Sequence, residues 1–271
     1  MRKVSVLMPV FNNSIFLKDS LESILSQSFE DFEFIIVDDG SSDATPQMLK
    51  SYAEKDSRIK IFRNEINKGI VFSLNRGLKE CSGFYIARMD SDDIAMKDRL
   101  KKQVAAIDAQ PEVCVLGTAA TYIDASGKEI GKVRYCAPES RLARTPLMHS
   151  TTLIRRKSLV DSGLWYQEKY IFAEDYFLWL QLSRVGKIGA LKDVLMKYRL
   201  NNRAIKIRKL KSSLRATLKV KIDAIMILRI IPSIKEVLMM LCEAFLLLLP
   251  SRLILFLYLK TELKDCKTID L

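Results

Sequence analysis

A chain of 271 residues can bury one large core, or a core with an appendage, and its composition is ordinary for a globular enzyme except in charge. Its 44 Lys and Arg against 32 Asp and Glu give a formal net charge of +12, a surplus that favours polyanions such as nucleic acid or anionic lipid. The five cysteines, Cys81, Cys114, Cys136, Cys242 and Cys266, are odd in number and include no CxxC pair, which fits reduced packing thiols in a cytosol rather than a disulfide framework or a zinc site.

The chain opens on a strand-like run rather than an apolar stretch with a cleavage site, so no secretory signal is expected. Residues 4–9 predict a short apolar strand. Asn12 to Ser14 read as a turn that caps a helix running to about Gln27, with Ile15, Leu17, Leu21, Ile24 and Leu25 on one stripe. A strand at 32–37, a helix at 44–55, a strand at 59–63, a helix at 70–81, a strand at 84–89 and a helix at 100–110 follow. That alternation predicts βαβ units and an α/β class with a mostly parallel central sheet flanked by helices. Residues 113–116 and 119–123 read as two further strands. Beyond Val133 come a loop with Pro138 and Pro146, a strand at 150–154, a helix start at Lys157 and an amphipathic helix over about 174–185.

The run Arg88, Met89, Asp90, Ser91, Asp92, Asp93 places three carboxylates directly after an apolar strand. Carboxylates so close repel one another and lose solvation if buried, so a divalent cation or well-solvated side chains must accompany them. A second acidic turn, Asp38, Asp39, Gly40, Ser41, Ser42, Asp43, also follows a strand, and ligands of open α/β sheets bind beyond the carboxyl ends of strands. Neither GxGxxG after the first strand nor GxxxxGK[ST] occurs, which removes the Rossmann fingerprint and the P-loop. An EF-hand counted from Asp90 fails at Ala95 and Lys101. Magnesium or manganese held by one or two carboxylates would then draw its other ligands from the phosphates of a bound nucleotide.

The strings VSVLMPVF (4–11), SLESILSQSF (20–29), FEFIIVDDGSSDAT (32–45), NKGIVFSLNRG (67–77), GFYIARMDSDD (83–93), HSTTLIRR (149–156) and EDYFLWLQL (174–182) resemble, in order and spacing, the motifs of family 2 glycosyltransferases. The resemblance covers about residues 2–200 and is nearest to small bacterial transferases that build surface polysaccharides. It implies a GT-A nucleotide-diphospho-sugar transferase fold, a UDP-sugar donor, Mn2+ or Mg2+, and inversion at the anomeric carbon. Carried over residue by residue, Pro9 and Phe11 would meet the uracil ring and Asp39, with Asp38 beside it, would accept from the base. Asn67 and Gly69 resemble the NxG turn, Arg88 would meet the diphosphate, Asp92 would ligate the metal, and Asp90 would face the ribose or a metal-bound water. Asp175 resembles the general base of the ED motif, while His149, Glu174, Trp179 and Arg199 stand where acceptor or diphosphate contacts are expected. Each has a plain reading beside it: core packing for Phe11 and Trp179, a salt bridge from Arg88 to Asp90 or Asp92, a backbone-bonded core histidine for His149, and helix-dipole acids for Glu174 and Asp175. The family's Tyr-Arg pair, here Tyr198 and Arg199, is often followed two residues later by His, where this chain has Asn201.

Residues 1–200 are thus expected to form the catalytic domain and 201–271 a helical extension. Between Asp193 and Asp223 there is no acid, yet Lys197, Arg199, Arg203, Lys206, Arg208, Lys209, Lys211, Arg215, Lys219 and Lys221 all fall there. The apolar segment 237–259 is broken only by Glu243, Pro250 and Arg252, two charges and a proline that penalise a spanning helix. Helices lying in the membrane interface, with the preceding cations on anionic headgroups, fit better; a helical layer packed on the core or on another subunit of a homo-oligomer is the alternative. Nucleic acid explains the cations poorly, since no recognition motif accompanies them. The reading is therefore a metal-dependent inverting transfer of a hexose or N-acetylhexosamine to a lipid-linked or lipopolysaccharide-type acceptor, by a cytoplasmic enzyme peripheral or monotopic at the inner membrane face. The rivals are a sugar nucleotidyltransferase and a non-catalytic membrane-associated scaffold on a degenerate transferase fold. A chain ended near Asn202 is expected to stay soluble and to bind UDP.

Overall fold

The computed structural model describes residues 3–139, 141–200, 210–251 and 253–254. Strands β1 (Val4–Val10), β2 (Phe32–Asp38), β3 (Ile59–Arg63) and β4 (Tyr85–Arg88) alternate with helices α1 (Leu17–Leu25), α2 (Thr45–Ala53) and α3 (Ile70–Glu80). β1 pairs in parallel with both β2 and β4, and β2 with β3. β2 is buried along its whole length, its Glu33 and Asp38 included, as a central strand covered by helices on both faces must be. Then follow β5 (Ile94–Ala95), α4 (Arg99–Asp108), β6 (Val113–Ile123), β7 (Glu129–Arg134), β8 (Leu153–Arg155), α5 (Arg156–Val160), α6 (Glu174–Leu182), β9 (Lys187–Arg199), α7 (Leu210–Met226) and α8 (Ile234–Leu246).

The strands form one sheet in the order β3-β2-β1-β4-β8-β6-β9-β5, with β7 paired to β6. Its first half is parallel, as the alternation predicts. Its second half is mixed: β8 runs antiparallel to β4 and β6, and β5 antiparallel to β9, while β6 and β9 are parallel. Chain order departs from spatial order on either side of β1, so a crevice opens at the carboxyl ends of β1, β2 and β4, where both acidic turns lie.

One apolar cluster packs Leu21, Ile24, Leu100 and Ile107 on one face of the sheet, and a second packs Leu74, Leu78, Leu178 and Trp179 on the other. A third joins Tyr170, Tyr176, Phe177 and Leu180 to Val220, Ala224 and Ile230. α6 is therefore buried on nearly all sides rather than amphipathic, with Leu178 and Trp179 toward the sheet and Phe177 and Leu180 toward α7. The node that ties the parallel strands is Glu33. Its carboxylate accepts from Ser5 Oγ at 2.6 Å, Lys60 Nζ at 2.8 Å, Ser82 N at 2.7 Å and Ser82 Oγ at 2.8 Å. Burial alone would raise its pKa, but these hydrogen bonds outweigh it and hold the carboxyl at about 2.

Several sequence expectations change. Asn12 to Ser14 do not cap α1, whose N-terminus at Phe16 has no side-chain cap; they bond instead to the second acidic turn. The two strands expected over 113–123 are one, β6. The strand expected at 150–154 begins as a 3-10 turn, His149–Thr151, before β8. Strands β5, β7 and β9 carry no predicted counterpart. In the C-terminal region, Lys221 and Glu243 are not a headgroup cation and an intruding charge. Lys221 has no exposed surface, and its Nζ lies 2.6 and 2.7 Å from the Glu243 carboxylate oxygens. Among the described residues no helix is long and apolar enough to cross a membrane. Asn201, Asn202, Arg203, Lys206, Arg208, Lys209, Arg252 and Cys266, and the apolar run from residue 255 on, lie outside the described residues.

Candidate active site

The second acidic turn closes the carboxyl end of β2. Asp38 is fully buried; its Oδ1 accepts from Ser41 N at 3.0 Å and shapes the turn, while its Oδ2 lies 3.3 Å from Arg63 Nε and has no hydrogen-bond partner among the described residues. Asp39 reaches the other way. Its Oδ1 accepts from Asn64 Nδ2 at 2.6 Å and Lys68 N at 2.9 Å, and its Oδ2 from Gly69 N at 2.8 Å. Asn64 is thus a buried link and not a plain turn residue. Gly69 has φ +88°, in the left-handed region where glycine carries no steric cost, which lets the exposed loop through Asn67 fold back and start α3. Gly40 is needed for closeness as well: a Cβ there would sit 2.7 Å from the Ile66 carbonyl carbon. Pro9 is half-buried at the end of β1, and Phe11, 45% exposed, stands on the rim and is not core.

The Arg88–Asp93 turn is held from several directions. Asn13 Nδ2 donates to Ser91 Oγ at 2.8 Å, and Ser20 Oγ donates to the Asp93 carbonyl. Arg88 is 1% exposed and its Nη2 lies 2.6 Å from Asp90 Oδ1, so the salt-bridge reading is realised; its Nε and Nη1 find no hydrogen-bond partner among the described residues. Asp90 and Asp92 are half-buried at the mouth, whereas Asp93 is buried and accepts from Arg199 N at 2.9 Å. Burial, reinforced by Asp92 and Asp90, pushes the Asp93 carboxyl well above the ordinary range.

Arg199 serves this turn and not a diphosphate. Its Nε donates to the Asp92 carbonyl at 2.8 Å, Nη1 to the Ala125 carbonyl at 2.9 Å, and Nη2 to Asp19 Oδ2 at 3.0 Å, with Phe16 under the guanidinium. Trp179 is likewise not an acceptor contact, since it has no exposed surface; it edges His149 with ring centroids 5.9 Å apart.

A residue with no sequence signal of its own connects the two sides. Tyr166 Oη lies 2.8 Å from His149 Nε2, so His149 bonds to a side chain and not only to backbone. The backbone of Tyr166 is clamped to α3 by Asn75, which donates to its carbonyl at 2.8 Å and accepts from its N at 3.0 Å. Burial raises the Tyr166 pKa, and of the charges it feels, Arg88 opposes that shift while Asp175, Glu174 and Asp90 add to it. The acids of the two motifs therefore share one electrostatic neighbourhood. Tyr166 lies in an irregular segment with no periodic pattern; the legible signal was Asn75, a polar residue on a core-facing helix. Glu174 is buried and Asp175 half-buried in the first turn of α6, entered through Phe172 at φ +78°, a conformation bulky residues adopt only under constraint.

Among the described residues no three His, Cys, Asp or Glu side chains gather as a metal cage. Asp90 and Asp92, half-buried and two residues apart, fit a hard divalent cation whose remaining ligands are phosphate oxygens and water.

The family described as glycosyl transferase family 2 matches residues 5–161. An uncharacterized glycosyltransferase of Haemophilus influenzae is 32% identical over 213 residues; the match takes in 73% of this chain, which spans only 65% of that protein. A UDP-Glc:alpha-D-GlcNAc-diphosphoundecaprenol beta-1,3-glucosyltransferase, WfgD of Escherichia coli, is 29% identical over 214 residues, covering 77% of this chain and 81% of its own length. The crystal structure of residues 1–349 of S. aureus TarS in complex with UDP superposes with a TM-score of 0.64 at 23% identity, over 80% of this chain and 65% of that one, a likeness of fold. With a GT-A sheet, a DxD turn at the end of β4 and an ED pair opening α6 all in family order, the chain belongs to glycosyl transferase family 2.

Proposed function

We propose that this protein transfers a hexose or N-acetylhexosamine from a UDP-sugar, with inversion, to a lipid-linked or lipopolysaccharide-type acceptor of bacterial surface polysaccharide synthesis. The observation that carries the reading is the contact chain that joins the two motifs: Trp179 of α6, the helix that the ED pair opens, edges His149 with ring centroids 5.9 Å apart, His149 Nε2 lies 2.8 Å from Tyr166 Oη, and the Tyr166 hydroxyl feels the charges of Arg88 and Asp90 as well as those of Glu174 and Asp175. On the donor side, Phe11 offers an exposed ring for the uracil, and Asp39 Oδ2, which among the described residues takes only Gly69 N, keeps a lone pair for the N3–H of the base. Asp92 and Asp90 would hold Mn2+ or Mg2+, which when bound supplies Lewis-acid stabilisation of the departing diphosphate. Asp175 takes the proton of the acceptor hydroxyl as its oxygen bonds to the anomeric carbon and the bond from that carbon to the diphosphate breaks. With Asp90 and Asp92 on the metal and Glu174 buried, Asp175 is the carboxylate left to act on the acceptor among the described residues, as a base and not as a nucleophile, so the transfer is a single displacement with inversion. The WfgD name pairs a UDP-sugar with a lipid diphosphate-linked acceptor, which supports the same donor and acceptor classes here. Such an acceptor puts the work at the inner face of the cell membrane.

The test is a panel of nucleotide sugars offered to the full chain with Mn2+, Mg2+ or chelator. UDP-sugar binding is expected to need the metal and to lose that dependence in Asp92→Ala. Asp175→Asn should keep donor binding and lower turnover by about two to four orders of magnitude. Metal-dependent UDP affinity unchanged in Asp92→Ala, or near-normal turnover in Asp175→Asn, overturns the assignment concerned.

A further inference from the structure

α8 is an amphipathic helix turned inside out. Its two acids, Glu236 and Glu243, stand seven residues apart on one face, and both point at the protein body: Glu236 accepts from Leu142 N at 3.0 Å, and Glu243 pairs with the buried Lys221. The opposite face carries Ile234, Val237, Leu238, Leu241 and Phe245, which at 3.6 residues per turn fill an arc about 100° wide. A soluble helix would bury such a stripe, yet no residue of α8 is buried, and Ile234, Leu241 and Phe245 are 82%, 62% and 61% exposed. The apolar surface continues along the chain through Met226, Ile227 and Ile231. A surface of this extent needs an occupant.

Charge decides which. From residue 226 to the end of the described chain, Glu236 and Glu243 are the acids and neither is exposed, while Arg229 and Lys235 are exposed cations; on α7 Arg215 is exposed as well, and Lys219 is paired with Asp223 at 3.3 Å. The exposed charges along this stretch, Arg229 and Lys235, are therefore cations. A second copy docked face to face would bring these like charges together around a dry patch, whereas anionic headgroups would neutralise them. We propose that α8 docks on an anionic lipid bilayer, lying along its surface with Ile234, Leu238, Leu241 and Phe245 at the acyl boundary and Lys235 and Arg229 at the headgroups. The Lys221–Glu243 pair and the Glu236 contact to Leu142 hold the helix so that this face stays outward. The docking deepens the reading of a lipid-borne acceptor and rests on it for its purpose, since it would bring the crevice to the surface where that acceptor resides.

Flotation of the full-length protein with phosphatidylcholine vesicles, with and without phosphatidylglycerol, tests this. The protein is expected to float with the anionic vesicles and to be released by salt. The double substitution Leu241→Glu/Phe245→Glu should lower partitioning about tenfold or more with an unchanged melting temperature. Val185→Glu, which adds a charge of the same sign at an exposed apolar residue after α6, should float like wild type. Flotation unaffected by the double substitution, or wild-type protein that floats with no vesicle, overturns the proposal. So does a dimer, seen by light scattering, that the double substitution dissolves, since the face would then belong to a second copy. The vesicles carry neither donor nor acceptor, so protein that floats yet transfers no sugar breaks the proposed reaction and not the docking.

Discussion

The carboxyl of Glu33 collects donors from β1, β3 and the turn before β4, and its pKa of about 2 lies below that of an unfolded glutamate. A depressed carboxyl stabilises the fold at pH above its unfolded value and loses that contribution as pH falls from about 4 to 2. Glu33→Gln is therefore expected to cost about 2 kcal/mol at neutral pH, with the gap to wild type closing below pH of about 4, as thermal melts across that range would show. At this scale the sequence was informative about where acids gather at strand ends. Asp39, Asp90 and Asp92 were legible because acids crowded directly after an apolar run repel one another unless a cation, a donor or solvent meets them. Tyr166 was not, because its importance comes from which neighbours the fold brings to it. Arg199 and Trp179 were assigned to a ligand because a residue's type and motif position do not reveal that all its donors, or all its surface, are already taken.

Among the elements, the pairing of α7 with α8 turns on one buried charge. Lys221 has no exposed surface, so removing its partner leaves an ammonium stranded in a low-dielectric site, a cost of about 3–5 kcal/mol. Glu243→Gln should lower the melting temperature accordingly, while Lys221→Met/Glu243→Leu should recover most of the loss, because two well-packed apolar groups replace the pair. If Glu243→Gln is as stable as wild type, the pair contributes nothing. The first helices and strands were readable from their periods, since each parallel strand is a short, mostly apolar run and each covering helix has one buried stripe. β9 was not, because Lys187, Asp193 and Lys197 interrupt a strand whose surface is half-exposed. The period of α6 misled for the opposite reason: a helix covered by the sheet on one side and by α7 on the other has no polar face to show.

For the molecule as a whole, the boundary expected at residue 200 does not coincide with a boundary of the packing. Val220, Ala224 and Ile230 cover Tyr170, Phe177 and Leu180, so a chain ended near Asn202 would expose an aromatic surface rather than a finished domain. Such a fragment is expected to melt at lower temperature and to associate, measured by scanning fluorescence and light scattering; melting indistinguishable from the full chain would remove α7 from the account. The parallel half of the sheet was legible as an alternation, but the mixed half depends on long-range pairings such as β6 with β9, which no local pattern encodes.

Those pairings impose an order in time. The clamp of Asp39 on Lys68 and Gly69 is local and can close soon after α3 has left the ribosome. The acidic turn cannot settle so early, because its backbone and side chains are held by Arg199, more than a hundred positions downstream. A nascent chain would thus possess the Asp39 side of the crevice well before the Arg88–Asp93 side, and the crevice would stay half-built until Arg199 has emerged.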